Sequence, residues 1–319
     1  MKRIGVLTSG GDVPGMNAAI RSVVRYAIHN NLEIMGIMRG YAGLINNELM
    51  SLNHRSVSNI INRGGTILKT ARCLEFMQEE GQKRAVETLN KNKIDALIVI
   101  GGNGSHKGAY ELFSKWKFPV VGVASTIDND LNGTDYALGS DSAINTVIEA
   151  IDKIRDTATS MERIFLVEVM GRDSGFIALQ VGIASGAEDV LIPERKFNFD
   201  SLCHDIVNGN MRGKISWIII VAEGAGSAQE IGKKIEEMTD LEVRTVVLGH
   251  IQRGGAPTAR DRILAARMGT AAVDLILKND FGKTVGVKGE ELNMPDIAFA
   301  IQKKEIEVDN FYRLIRILT

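Results

Sequence analysis

Aromatic side chains are scarce in this chain, making up 5% of its 319 residues. That is too few for the base-stacking platforms of single-strand nucleic-acid binders. An excess of either charge is also missing: 38 Lys and Arg face 39 Asp and Glu, for a formal net charge of −1. This balance argues against a basic groove for nucleic acid or a polybasic face for anionic lipid. Cysteine occurs only as Cys73 and Cys203, far apart and with no CxxC, which points to reduced thiols rather than a disulfide framework. The five histidines show no ligand spacing for zinc. Apolar runs such as Trp217–Ala222 fall far short of the roughly 20 residues that span a bilayer. Lys2-Arg3 leads straight into a short β-rich run without a secretory apolar stretch, so a cytoplasmic location is expected, with neither a nucleic-acid nor a membrane partner. With five prolines and no Pro/Ser-rich linker, two domains joined by short loops are expected, at about 100–200 residues each.

What is present is alternation. Residues 4–9 read as a strand, and from Pro14 to about residue 29 Ala18, Ile20, Val23, Val24 and Ala27 fall at helical spacing. Further strands are expected at 32–38, 96–100, 120–123, 164–169, 190–192, 217–222 and 244–248. Helices are expected near 105–116, 140–159, 174–185, 229–238 and 259–278. Apolar strands separated by helices predict an α/β fold with mostly parallel sheets, two in number.

Ligands of such folds collect at the carboxyl ends of strands, and those ends carry an unusual set of residues. Residues 8–12 (TSGGD) and 101–105 (GGNGS) both lie between a strand and a helix. Glycines there admit an anion close to the backbone, and the helix N-terminus offers N–H donors. No GxxxxGK[ST] occurs, and Gly102, Gly104 and Gly108 miss the dinucleotide spacing by one residue. Two cradles suit a polyphosphate lying across several strand ends. Residues 125–130 (STIDND) place Asp128 and Asp130 two apart after the 120–123 strand, which suits a divalent cation together with proton abstraction. Taken alone, each of these segments also fits an ordinary tight turn.

Cations follow the later strands. Arg172 comes after the 164–169 strand, Arg163 precedes it, Arg244 opens the next, and Arg253 lies within GHIQRGG at 249–255. A guanidinium fork binds phosphate oxygens in pairs. Glu223, after 217–222, is placed to accept sugar hydroxyls, or to serve as a helix-capping or salt-bridged carboxylate.

The motifs at 8–17 (TSGGDVPGMN), 64–72 (GGTILKTAR), 126–130 (TIDND), 170–172 (MGR) and 248–255 (LGHIQRGG) resemble, in order and nearly end to end, the bacterial ATP-dependent 6-phosphofructokinase family. The resemblance implies two Rossmann-like lobes with the active site in the inter-lobe cleft. The larger, ATP-binding lobe would hold 1–139 plus 252–303, and the smaller, sugar-phosphate-binding lobe 140–251 plus 304–319. The activity implied is phosphorylation of fructose 6-phosphate at its C1 hydroxyl by ATP with Mg²⁺.

Site residues follow from the same resemblance. Gly11, Gly102, Asn103, Gly104 and Ser105 would cradle ATP phosphates, with Arg72 and Cys73 at the nucleotide. Asp128 would be the general base beside Thr126 and Ile127, while Asp130 and Asn103 would place Mg²⁺. Arg172 would neutralise the transferring group. Met170, Gly171, Glu223, His250, Ile251, Gln252 and Arg253 would hold the sugar phosphate, with Arg163 and Arg244 arriving from a neighbouring subunit of a homotetramer. An effector site for ADP or phosphoenolpyruvate would use Arg21, Arg25, Arg155, Gly186, Glu188, Arg212 and Lys214. Arg21 and Arg25, four apart, share a helix face.

Several positions depart from the family pattern. Asn103 replaces Asp in GGDGS, and Ala124-Ser125 replaces Pro-Gly before TIDND. Pyrophosphate-dependent relatives carry Lys in place of Ser125 and Asp in place of Gly104, so ATP is the expected donor. Leu74, Met77 and Met161 stand where Pro, Arg and His are frequent. In the effector site, His54, Asn59 and Ser216 replace Arg, Asp and His, so a weakened response is expected. The missing carboxylate at position 103 also leaves open a catalytically weak paralogue that binds nucleotide and sugar phosphate as a sensor or assembly partner.

Overall fold

The computed structural model describes residues 1–319, which group into two compact units. One holds Met1–Ser142 and Arg253–Lys304, the other Ala143–Gln252 and Glu305–Thr319. The chain begins with β1 (Arg3–Ser9), α1 (Met16–His29), β2 (Glu33–Ile37), α2 (Gly40–Ile45) and β3 (Leu49–Leu52). It continues with α3 (Glu79–Lys91), β4 (Ala96–Gly101), α4 (Asn103–Ser114) and β5 (Val120–Ala124). The unit boundary falls within α5 (Ser140–Met161). Next come β6 (Ile164–Val169), α6 (Phe176–Ser185), β7 (Asp189–Leu191), α7 (Phe199–Met211), β8 (Trp217–Ala222), α8 (Ala228–Thr239) and β9 (Val243–Val247). The first unit resumes with α9 (Ala259–Leu277), β10 (Lys283–Lys288), β11 (Glu291–Asn293) and α10 (Ile297–Ala300), and α11 (Asp309–Leu318) belongs to the second.

The first unit is built on a seven-stranded sheet in the order β11-β10-β5-β4-β1-β2-β3, parallel except for the β10–β11 and β2–β3 pairs at its edges. Its central strand β4, ALIVIG, is buried at every position, as a strand covered on both faces requires. Helix α1 lies against α9, where the Ser22 hydroxyl donates to Ala265 O at 2.9 Å. The second unit carries a parallel four-stranded sheet, β7-β8-β6-β9. Its core joins Leu166, Ile219 and Val221 to Ile206 of α7 and Ile231 and Ile235 of α8.

The α/β expectation with two mostly parallel sheets holds. The sequence pattern did not reveal the two edge strands of the larger sheet, β3 and β11, nor β10, α2, α3, α7, α10 and α11. Three helix starts also differ, with α1 beginning at Met16 rather than 14. Helix α4 begins at Asn103 rather than 105, with Gly102 as its N-cap, and α6 begins at Phe176 rather than 174, leaving Ser174 in the preceding turn. No helix is long and apolar enough to cross a membrane.

Candidate active site

Within the first unit, the carboxyl ends of β1, β4 and β5 converge. These strands are neighbours in register, with Ser9 opposite Gly101 and Gly101 opposite Ala124, so their three following loops lie side by side. Ser105, in the first turn of α4, is pressed into the corner: a Cβ on Gly101 would lie 2.5 Å from its Oγ, and one on Gly10 3.3 Å away. That Oγ is buried and has no hydrogen-bond partner within the chain. An unsatisfied hydroxyl between two glycine loops at a helix N-terminus fits a phosphate oxygen. Gly104, beside it, faces open space.

The 64–72 and 8–17 segments are tied together by side chains. Asn17 Nδ2 donates to the carbonyls of Arg63 (3.2 Å) and Gly64 (3.1 Å), and Asn17 Oδ1 accepts from Ile67 N at 2.7 Å. Thr8 Oγ1 lies 2.9 Å from Thr66 Oγ1 and donates to Lys69 O. Arg253 adds a third segment: its Nη1 donates to Asp12 O at 3.3 Å, and its guanidinium lies over Gly11. Arg72 is exposed and Cys73 half-buried on the same loop, and Cys73 packs against the core.

After β5, the 126–130 loop turns inward. Thr126 Oγ1 accepts from Asp128 N at 3.2 Å, and both residues are buried, Asp128 at 5% exposure. Asn129 takes a left-handed φ of 50°, a conformation Asn tolerates better than most residues. Its side chain holds it there by donating to Asp135 O at 2.7 Å and accepting from Ala137 N at 2.9 Å. Lys304 donates from Nζ to the carbonyls of Asn129 (3.0 Å) and Thr134 (2.7 Å). Burial pushes its ammonium down to about 8, while Asp135 and Asp130 act to hold it up.

His106, on α4, is fully buried. Its Nδ1 lies 3.0 Å from Gly102 O, and since a carbonyl only accepts, that nitrogen carries the proton. Burial pushes the imidazole down to about 4, against the opposing pull of the Gly102 carbonyl. The ring is therefore a neutral support for the 101–105 loop.

In the second unit, the 170–172 turn follows β6. Gly171 has a φ of 150° and Arg172 one of 52°. Glu223, after β8, holds this turn: its Oε1 accepts from Gly171 N (3.2 Å) and Arg172 N (2.8 Å). Gln252 is wholly buried, with Oε1 accepting from Met170 N at 3.3 Å and Nε2 donating to Gly249 O at 3.1 Å. His250 and Ile251 are exposed, as is Arg172. Arg163 and Arg244 meet on one carboxylate, Glu242: Arg163 Nε lies 2.7 Å from it, and Arg244 forms a second ion pair.

The phosphofructokinase family model matches residues 3–276. An ATP-dependent 6-phosphofructokinase of Bacillus pumilus is 56% identical over 98% of this chain and 98% of its own. One from Oceanobacillus iheyensis is 57% identical over 90% of each chain. The chain belongs to the phosphofructokinase family. Among solved structures, phosphofructokinase from Saccharomyces cerevisiae superposes with a TM-score of 0.86 at 35% identity, covering 94% of this chain. This chain spans 45% of that yeast chain.

The family positions fall into a group within each unit. Gly11, Gly102, Asn103, Gly104, Ser105, Thr126, Ile127, Asp128, Asp130 and Arg253 lie on adjoining loops of the first. Met170, Gly171, Arg172, Glu223, His250, Ile251 and Gln252 share the strand ends of the second. Of these, Gln252 is built into the loop through both ends of its amide, and Glu223 has one oxygen committed to backbone. Of the effector positions, Arg21 and Arg25 lie on α1. Arg155 donates to the carbonyls of Ser185 and Gly186, while Glu188 accepts from Ile218 N at 2.6 Å and pairs with Lys214 at 3.4 Å.

No group of three or more His, Cys, Asp or Glu stands ready to hold a metal ion. Mg²⁺ takes one or two carboxylates and completes its shell with substrate phosphates and water. Asp130 and the Asn103 amide oxygen fit that partial set; the Asn103 amide nitrogen is turned towards Ile301 O at 3.5 Å. Sequence reasoning missed the residues that hold these loops: Asn129 as a clamp, Lys304, Glu242 and His106. Asn129 carried a signal, being a helix-poor residue between two aspartates; the others act over long sequence separations or from within a helix.

Proposed function

We propose that this chain transfers the terminal phosphoryl group of ATP to the C1 hydroxyl of fructose 6-phosphate, giving fructose 1,6-bisphosphate. The observation that carries this reading is the buried Asp128 carboxyl on a loop packed beside two glycine cradles, with the unsatisfied Ser105 hydroxyl between them. Phosphoryl transfer calls for positioning and charge neutralisation, with a base for the attacking alcohol. Asp128 accepts the C1 proton as the oxygen attacks. The backbone of 10–11 and 102–105, with Ser105 Oγ, holds the phosphates. Asp130 and Asn103 would hold Mg²⁺ against the phosphates, where the cation supplies neutralising charge. Arg172 neutralises charge on the group in transfer, and Arg253, His250 and Met170 bind the sugar phosphate, with Glu223 orienting the Arg172 turn. Arg72 and Cys73 flank the nucleotide.

The regulatory and assembly readings rest on the same family positions. Self-association into a homotetramer lets Arg163 and Arg244 reach a neighbouring subunit's sugar phosphate, and Glu242 keeps the two side by side. Arg21, Arg25, Arg155, Gly186, Glu188, Arg212 and Lys214 contribute to a site for ADP or phosphoenolpyruvate at an interface between subunits. His54, Asn59 and Ser216 remove charge from it, so the rate should respond weakly to either effector. The setting is cytoplasmic.

A coupled assay of fructose 1,6-bisphosphate formation tests the central claim. Turnover is expected with fructose 6-phosphate and MgATP, and none with pyrophosphate as donor. Absence of ATP-driven turnover in folded protein refutes it and favours the binding-only paralogue.

A further inference from the structure

The segment that closes the first unit, residues 300–304, touches both proposed catalytic loops. Asn132 donates from its backbone to Ala300 O at 3.0 Å and from Nδ2 to Gln302 O at 2.8 Å, and Asn103 Nδ2 reaches Ile301 O. The most telling tie is made by the last residue of the segment. Lys304 sends a half-buried ammonium between the carbonyls of Asn129 and Thr134, two acceptors five residues apart in the loop following β5.

We propose that Lys304 is a positioning residue for phosphoryl transfer, fixing the peptide between Asn129 and Asp130 and thereby the aim of the Asp128 and Asp130 carboxyls. This rests on the reading given under Proposed function. The Asn129 carbonyl belongs to the peptide plane that joins Asn129 to Asp130, so holding it sets the rotation on both sides of that plane. Asn129 is left-handed, and a left-handed non-glycine residue persists only where its surroundings over-determine it. Its side chain fixes the plane on one side through 135–137, and Lys304 fixes the other. Without the ammonium, two carbonyl oxygens converge with no donor between them, and the turn relaxes. A shift of about 1 Å in a general base is enough to cost roughly 10²-fold in rate. The bonds of Lys304 go to the loop backbone rather than to either substrate, and the proposed sugar-phosphate contacts lie on other loops, so its removal should act on kcat and spare fructose 6-phosphate binding.

Lys304→Met keeps the length and apolar stem and removes the donor. With its fold checked by circular dichroism and thermal melting, it should lose roughly 10²-fold in kcat. KM for fructose 6-phosphate should stay within about threefold, about 0.65 kcal/mol of binding. Lys304→Arg, whose fork can donate to both carbonyls, should recover at least a tenth of the lost rate. Lys303→Met, altering the exposed neighbour, should match the parent chain. A folded Lys304→Met with parental kcat overturns the proposal, as does a loss seen only in KM, which would make Lys304 a ligand contact. If Lys304→Met fails to fold, Lys304→Leu decides, because it too keeps an apolar stem without a donor: a kcat-selective loss supports the proposal and a parental kcat overturns it. A parent chain that does not turn over ATP and fructose 6-phosphate sinks the underlying reading instead, and the two failures are told apart by that measurement.

Discussion

A single methyl group at Gly11 separates the requirements of the fold from those of the site. An ideal Cβ there would lie 2.8 Å from Arg253 Cζ and closer still to one of its guanidinium nitrogens. The obstacle is the far end of a flexible side chain, so Arg253 can swing away. Gly11 does not have a left-handed φ, so alanine meets no backbone penalty, and it narrows the unfolded ensemble by about 0.4–1 kcal/mol. Against that stands the lost bond from Arg253 to Asp12 O, long at 3.3 Å and worth on the order of 1 kcal/mol. Stability should therefore change by less than about 1 kcal/mol, a shift of a few degrees at most for a chain of this size. Function should change much more. Displacing a charged donor to a bound anion is a loss of about 1.5–3 kcal/mol, or roughly 10- to 150-fold in affinity. We expect this mainly as a raised KM for fructose 6-phosphate, with a further loss in kcat from crowding the phosphate cradle. Steady-state kinetics in both substrates, set beside a thermal melt, reads out each part. Parental kinetics at unchanged stability would refute the placement of both Gly11 and Arg253 in the site, and a melt lowered by more than about 3 kcal/mol would show that the guanidinium cannot yield.

Three further outcomes follow from the same geometry. Gly104→Ala meets no protein atom within 4 Å, so it should melt at or slightly above the parent temperature while KM for ATP rises at least about tenfold, a loss of ~1.4 kcal/mol; an unchanged KM would remove this loop from the phosphate site. His106, pushed from 6.5 to about 4 by burial, binds fewer protons folded than unfolded, so its contribution to stability is fully present above the unfolded value and drains away as pH falls towards the folded one. Between pH 7 and about pH 4.5 this amounts to roughly 2.5 kcal/mol, and His106→Phe should flatten that part of the pH dependence of the melt by the same amount. Finally, ADP and phosphoenolpyruvate should leave the fructose 6-phosphate saturation curve nearly unchanged, and strong sigmoidal inhibition would defeat the assignment of His54, Asn59 and Ser216 as weakening substitutions.

The fold was legible where burial is continuous. Strands such as β4 and β8 are apolar along their length because helices cover both faces, and that pattern survives any local ambiguity. The elements overlooked have weaker signals for identifiable reasons. Helix α3, EEGQKRAVETLNK, buries only a narrow stripe that includes Ala85 and Leu89, so charge hides its period. Strands β3 and β11 lie at the sheet edges and are four and three residues long, too short for alternation to be counted. In the site, glycines and aspartates at strand ends marked the loops, since few other demands place such residues there. Which side chain touches a ligand and which holds a loop was not legible. Gln252, within the 248–255 motif, and Glu223, after β8, are expected from the sequence to meet the sugar phosphate; in the folded chain the Gln252 amide also bonds within its loop and one Glu223 oxygen also caps two backbone amides.

That division of labour has a physical basis. A turn that presents Arg172 with a left-handed φ, or Asp128 beside a left-handed Asn129, stores strain that relaxes unless something opposes it. Backbone ladders cannot do so, because the strands have ended. The opposing bonds must then come from side chains: Glu223 across from β6, Asn129 bonding to its own loop, Lys304 arriving from residue separations of 175 and 170. Partners of the long-range kind carry no local pattern, since their effect lies in distance along the chain rather than in spacing. A strand-end loop rich in glycine and aspartate therefore implies a second set of polar residues that holds it, and in this chain that set is as much a condition of phosphoryl transfer as the residues that meet the substrates.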